Sequence, residues 1–134
     1  MKNMKILCVF FVLLSAVVNA EDRNYSQQFA RCSKVASSSD AQADCVTAEI
    51  AVQKKRLNIA FANAAKKLAP EDKTYLDKVQ HEWITWRDDN YNFLAEHVSG
   101  SFGATRGTSL DFMLRSVFDR ASELEMMSDE MGGN

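Results

Sequence analysis

The sequence predicts an all-α domain: two long antiparallel helices, a third that closes the core, and an N-terminal arm tethered by a disulfide. Three observations carry this expectation. From Asp40 to Leu68 there is no glycine or proline, and Val46, Ile50, Leu57, Phe61, Ala64 and Leu68 recur at helical spacing. Between Pro70 and Val98, taking about 100° per residue, Leu76, Val79, Trp83, Trp86, Asn90 and Leu94 share one broad arc. Leu110, Met113, Leu114, Val117, Ala121 and Leu124 form a third stripe. No segment alternates with the period of two that a strand needs, and there are no internal repeats.

The chain is 134 residues long, room for one domain. Its first 20 residues are expected to be a leader, because Lys2 and Lys5 precede an apolar run from Ile6 to Val18 and then Val18-Asn19-Ala20. A basic start, a short apolar centre and small residues at −3 and −1 describe a secretory signal peptide. The run is too short for a comfortable membrane span. Cys8 lies in mid-run and not after the cleavage point, so a lipoprotein anchor is not expected. The domain would then occupy residues 21–127, exported to the periplasm or secreted, followed by a flexible tail at 128–134. Without Lys2 and Lys5, 14 basic residues face 18 acidic ones, and the formal net charge moves from −2 to −4. Such a balance disfavours nucleic acid and offers no basic stripe for a membrane, while it suits a basic protein partner. Two cysteines remain, Cys32 and Cys45, and in an exported protein an even pair predicts a disulfide.

In chain order, Glu21–Ser39 reads as a short helix or irregular arm carrying Phe29 and Cys32. Ser37-Ser38-Ser39-Asp40 has the chemistry of a helix start, so the disulfide would pin the arm to the beginning of the first long helix. Pro70, the only proline, fits the first turn of the next helix, where its missing N–H does no harm. Glu71 and Asp72 complement that helix terminus. The short connection implies that the two long helices are antiparallel neighbours, with the stretch 76–93 as the spine against which the rest packs. Ser99–Thr108 holds three of the five glycines and reads as a loop, with Ser99, Gly100, Phe102, Gly103 and Arg106 as a candidate partner-binding element. The last helix is expected over about 108–127.

Residues able to do chemistry are present but badly placed for it. His81 and His97 are sixteen apart, without the spacing of a zinc pair, and no metal or other cofactor is implied. There is no Gly-x-Ser-x-Gly elbow, and the paired cysteines would not serve as nucleophiles. Asp88 and Asp89 are consecutive, so on a helix they diverge by about 100°. The reading is therefore not an enzyme. Arg87 is unusual in falling on the apolar arc with Trp83 and Trp86; a buried cation needs a partner, and Glu49, at the edge of the preceding apolar arc, is the expected one.

Taken together, Cys32, Cys45-x-x-x-Glu49, Leu57-Asn58, Gln80-x-x-Trp83-x-x-Trp86-Arg87-Asp88 and Arg120-Ala121-Ser122-Glu123-Leu124 resemble the LprI-type family of exported bacterial lysozyme inhibitors. Many members carry a second cysteine pair, which is missing here as a pair: Tyr91 and the neighbourhood of Phe112 hold none. Phe102 and Arg106 also stand where a simpler glycine run would be. The resemblance implies an exported binding protein that blocks a muralytic enzyme by protein contact, with the 99–108 loop bringing Arg106 toward the carboxylates of the enzyme's cleft. An immunity or accessory protein against one envelope-directed toxin is the alternative expectation, and a hydrolase a third.

Overall fold

The structure, a computed structural model, describes residues 23–98, 100 and 102–132. The expected leader, residues 1–20, lies outside them, as does Ser99. The fold is all-α: α1 (Gln27–Val35), α2 (Ser39–Lys66), α3 (Pro70–Glu96) and α4 (Phe102–Met131), with no strand among the described residues.

Local chemistry explains the boundaries. The Ser26 hydroxyl caps α1 by accepting from the Phe29 N–H at 3.1 Å, and the Ser38 hydroxyl caps α2 by accepting from the Ala41 N–H at 3.1 Å. Pro70 begins α3, with Glu71 and Asp72 in its first turn. The Cys32–Cys45 disulfide joins α1 to the start of α2, with Cα atoms 5.7 Å apart.

Contacts along the helices fix their directions. Arg106 meets Asp40, Arg56 meets Glu125, and Lys67 donates to the Ser128 carbonyl, so α4 runs parallel to α2. Gln80 meets Arg120 and Trp86 meets Phe112, so α3 runs antiparallel to both. The main interface joins α2 and α4, and its two seams share a seven-residue rhythm. On α2, Ala43, Ile50, Leu57 and Ala64 repeat, with Ala60 between them; on α4, Leu110, Val117, Leu124 and Met131 repeat, with Leu114 and Ala121 alongside. Seven-residue spacing keeps an apolar seam facing its partner along the whole contact. Alanines at 43, 60, 64 and 121 let the two backbones approach closely.

Four expectations need correction. The spine is α4, not α3: Val117, Ala121 and Leu124 are fully buried, whereas the one buried residue of α3 is Gln80. Although only residues 67–69 connect them, α2 and α3 both pack chiefly on α4 rather than on each other. The last helix also starts at Phe102, six residues before the expected Thr108, so Gly103, Arg106 and Gly107 are helical. Glycine disfavours a helix by about 1 kcal/mol; here Arg106, bound to Asp40 at 3.1 Å and 3.6 Å from Asp44, ties the first turns to α2. Finally, α4 continues through the expected tail to Met131, because Ser128 is buried and Met127 and Met131 pack on the core.

The arm is fastened by more than its disulfide. Arg23 donates two hydrogen bonds to Asp119 at 2.7 and 2.8 Å. The Tyr25 ring meets Phe29 and Phe118 edge-on, at 5.3 and 5.2 Å. Burial there pushes the Tyr25 phenol above its ordinary pKa, with Asp111 and Asp119 adding to the rise and Arg23 opposing it.

Candidate protein-binding surface

The polar residues singled out in the sequence divide into internal ties and exposed groups. Glu49 is an internal tie and is only 2% exposed. It accepts from the Ser26 N–H at 2.9 Å, from the Ser26 hydroxyl, and from Gln53 Nε2 at 2.8 Å. Its acceptors thus hold the start of α1, and it is not the partner of Arg87. Arg87, its side chain 12% exposed, pairs with its own neighbour Asp88, Nη2 to Oδ1 at 2.7 Å. Arg87 is partly buried, and its carboxylate partner is local and not the expected Glu49. The segment entering α1 covers Glu49 from α2's other side, a placement that spacing within α2 and α3 does not disclose.

Trp83 lies close to two cations, with the Arg87 guanidinium 5.0 Å and that of Arg120 5.9 Å from its ring centroid. Arg120 is buried; its Nε donates to Gln80 Oε1 at 2.9 Å and its Nη1 to Glu123 Oε2 at 3.0 Å. Gln80, Trp83, Arg87 and Arg120 therefore form one α3–α4 joint. They set cations over an aromatic ring and satisfy two of the Arg120 donors, while its buried Nη2 has no hydrogen-bond partner among the described residues. These are positioning interactions with no reacting group among them.

The outward-facing groups are different. Trp86, expected in the core, is 52% exposed and leans on Phe112 of α4 with ring centroids 5.7 Å apart. Tyr75 is 66% and Phe93 58% exposed. At about 100° per residue these three fall within about 20° of one another on one shoulder of α3, with Glu82 and Asp89 beside them. Lys78 donates to Glu82 at 3.1 Å, which raises the lysine's pKa. Asp89 has no ion-pair partner among the described residues. The Phe93 ring lies 5.8 Å from that of His97. The signal was available in the sequence: Tyr75, Trp86 and Phe93 are separated by three turns and then two, a rhythm that carries aromatics down one side of a helix.

The 99–108 element is not a free loop over its second half. Gly100 is exposed in the α3–α4 connection, Phe102 and Gly103 begin α4, and Arg106 is held by Asp40 and Asp44. The side chain of Phe102 lies outside the described residues.

Elsewhere, an open groove of about 720 Å³ between the α1–α2 turn and the first turns of α4 is lined by Gln42, Val46, Leu110 and Asp111, among others. Among the described residues Asp111 is its one ionisable lining residue, with no second acid or base beside it. No cluster of His, Cys, Asp and Glu among the described residues could hold a metal ion. No described helix is long and apolar enough to cross a membrane.

Comparison with known proteins agrees with the resemblance. The family model described as lysozyme inhibitor LprI matches residues 32–124, from the first cysteine of the disulfide to the last buried leucine of α4. No curated protein and no solved structure matches the chain. The match spans more than half of the sequence and includes the disulfide, Glu49 and the whole Gln80–Trp83–Arg87–Arg120 joint, and the chain belongs to the LprI lysozyme-inhibitor family.

Proposed function

We propose that this protein is exported and inhibits a lysozyme-type muralytic enzyme by protein–protein contact, without chemistry of its own. The observation that carries this reading is the family match over residues 32–124, which includes α2, α3 and α4 as far as Leu124. The geometry supports it. The polar side chains of the α3–α4 joint and of Glu49 are used to hold helices together, and the exposed aromatics sit on a rigid helical frame. Export is supported by the signal-peptide pattern of residues 1–20 and by the disulfide, a bond that persists in oxidising compartments. Lysozyme-type enzymes work with two carboxylates in a cleft that must admit a glycan chain, and a protein covering the cleft mouth stops turnover without touching them.

The test is a lysis assay on bacterial cell walls with purified protein and a panel of lysozymes. The expected result is loss of lytic rate that saturates as the protein approaches equimolar ratio with a susceptible enzyme. Full activity of every lysozyme at micromolar excess of the protein would contradict the reading.

A further inference from the structure

Resting on the inhibitor reading, we propose that the shoulder of α3 carrying Tyr75, Glu82, Trp86, Asp89 and Phe93 is the docking surface, and that its occupant is the basic face of the muralytic enzyme. Three observations converge. Three large aromatic side chains, each more than half exposed, line one side of a single helix. Aromatic residues are enriched in protein interfaces, and Trp and Tyr are among the few residues that carry most of the binding energy. Trp86 is braced by Phe112, and the Arg87–Asp88 pair and Trp83 fix the next turn inward, so the surface is pre-formed and little ordering is needed on association. Acidic groups are interleaved with the aromatics: α3 holds seven acids, Glu71, Asp72, Asp77, Glu82, Asp88, Asp89 and Glu96, against Lys73, Lys78 and Arg87.

That charge selects the occupant. In a two-fold dimer the stripe would meet itself and bring Asp89 against the same acid-rich helix, whereas a cationic partner is attracted and its encounter accelerated. The loop mechanism, in which Arg106 enters a cleft, asks a residue engaged with Asp40 and Asp44 to change partners. The α3 shoulder needs no such rearrangement.

The experiment measures binding and inhibition of a basic lysozyme by wild-type protein and by Trp86→Ala, Phe93→Ala and Asp89→Lys. Circular dichroism and thermal melts establish that each variant is folded. Phe93→Ala and Asp89→Lys alter exposed side chains and so remain informative if Trp86→Ala loosens the Phe112 contact. The expected result is affinity about tenfold or more weaker for each aromatic variant. Asp89→Lys should slow association most at low salt. If the wild type inhibits and all three folded variants inhibit equally well, the surface assignment is overturned while the inhibitor reading stands. If the wild type binds no lysozyme, both fall. Conversion of a wild-type dimer to a monomer by Phe93→Ala would identify the stripe as a self-association face and also overturn the assignment.

Discussion

Glu49 illustrates how a buried charge serves a fold when its acceptors are all used. Its two oxygens hold the Ser26 N–H and hydroxyl and the Gln53 amide, and Ser26 in turn caps α1. Glu49→Ala would leave these donors without partners inside the domain, at a cost of about 2–4 kcal/mol. Urea unfolding should show a lower midpoint, with Glu49→Gln less affected because it keeps a carbonyl acceptor. A change within about 0.5 kcal/mol, the range of an ordinary surface substitution, would contradict this role. The sequence identified Glu49 and Arg87 as polar groups on apolar arcs and therefore as groups needing partners. It did not identify the partners, because Asp88 is reached by a side-chain rotamer and Ser26 by a chain reversal, and neither leaves a periodic trace. Trp86 was misplaced for a related reason: it sits at the boundary of the apolar arc, where about 100° of rotation per residue cannot separate core from shoulder.

At the scale of the elements, α2, α3 and the apolar stripe of α4 were legible because each has long, uninterrupted periodicity. The start of α4 was not. Its glycines at 103 and 107 argue locally for a loop, and the long-range contact of Arg106 with Asp40 and Asp44 holds the helix in place. The choice of α4 as the central helix was likewise hidden, since its stripe is no longer than those of its neighbours. It is distinguished by Ser109, Val117, Ala121 and Ser128, small residues that admit α2 at close range. Ala121→Leu should accordingly overpack this seam and destabilise the protein by about 1–3 kcal/mol, measured by thermal or urea unfolding; an unchanged midpoint would show that the seam has slack. The disulfide makes a separate contribution. Cys32 and Cys45 are 13 residues apart, and replacing both by serine should cost about 3 kcal/mol through the freedom returned to the unfolded chain. Glu49 and Arg23 should still hold the arm in the folded state, so a variant with intact helicity and a lowered unfolding midpoint is expected.

For the whole molecule, the parts divide between scaffold and surface. Within the stretch that matches the family, the Cys32–Cys45 disulfide, Glu49 and the α3–α4 joint are committed to holding four helices in one arrangement. The exposed shoulder of α3 is what that arrangement presents outward. All-α class, disulfide and family were readable from sequence because they depend on spacing and residue type. The sequence also carries the aromatic spacing of Tyr75, Trp86 and Phe93, but not their exposure, which depends on which face of α3 the central helix leaves uncovered. The central claim, inhibition by contact, is tested most directly by titrating a susceptible lysozyme with purified protein while following lytic rate and heat of binding together. The account predicts that both saturate at the same, near-equimolar ratio. Heat of binding with undiminished lysis, or no heat and full lysis at large excess, would contradict it.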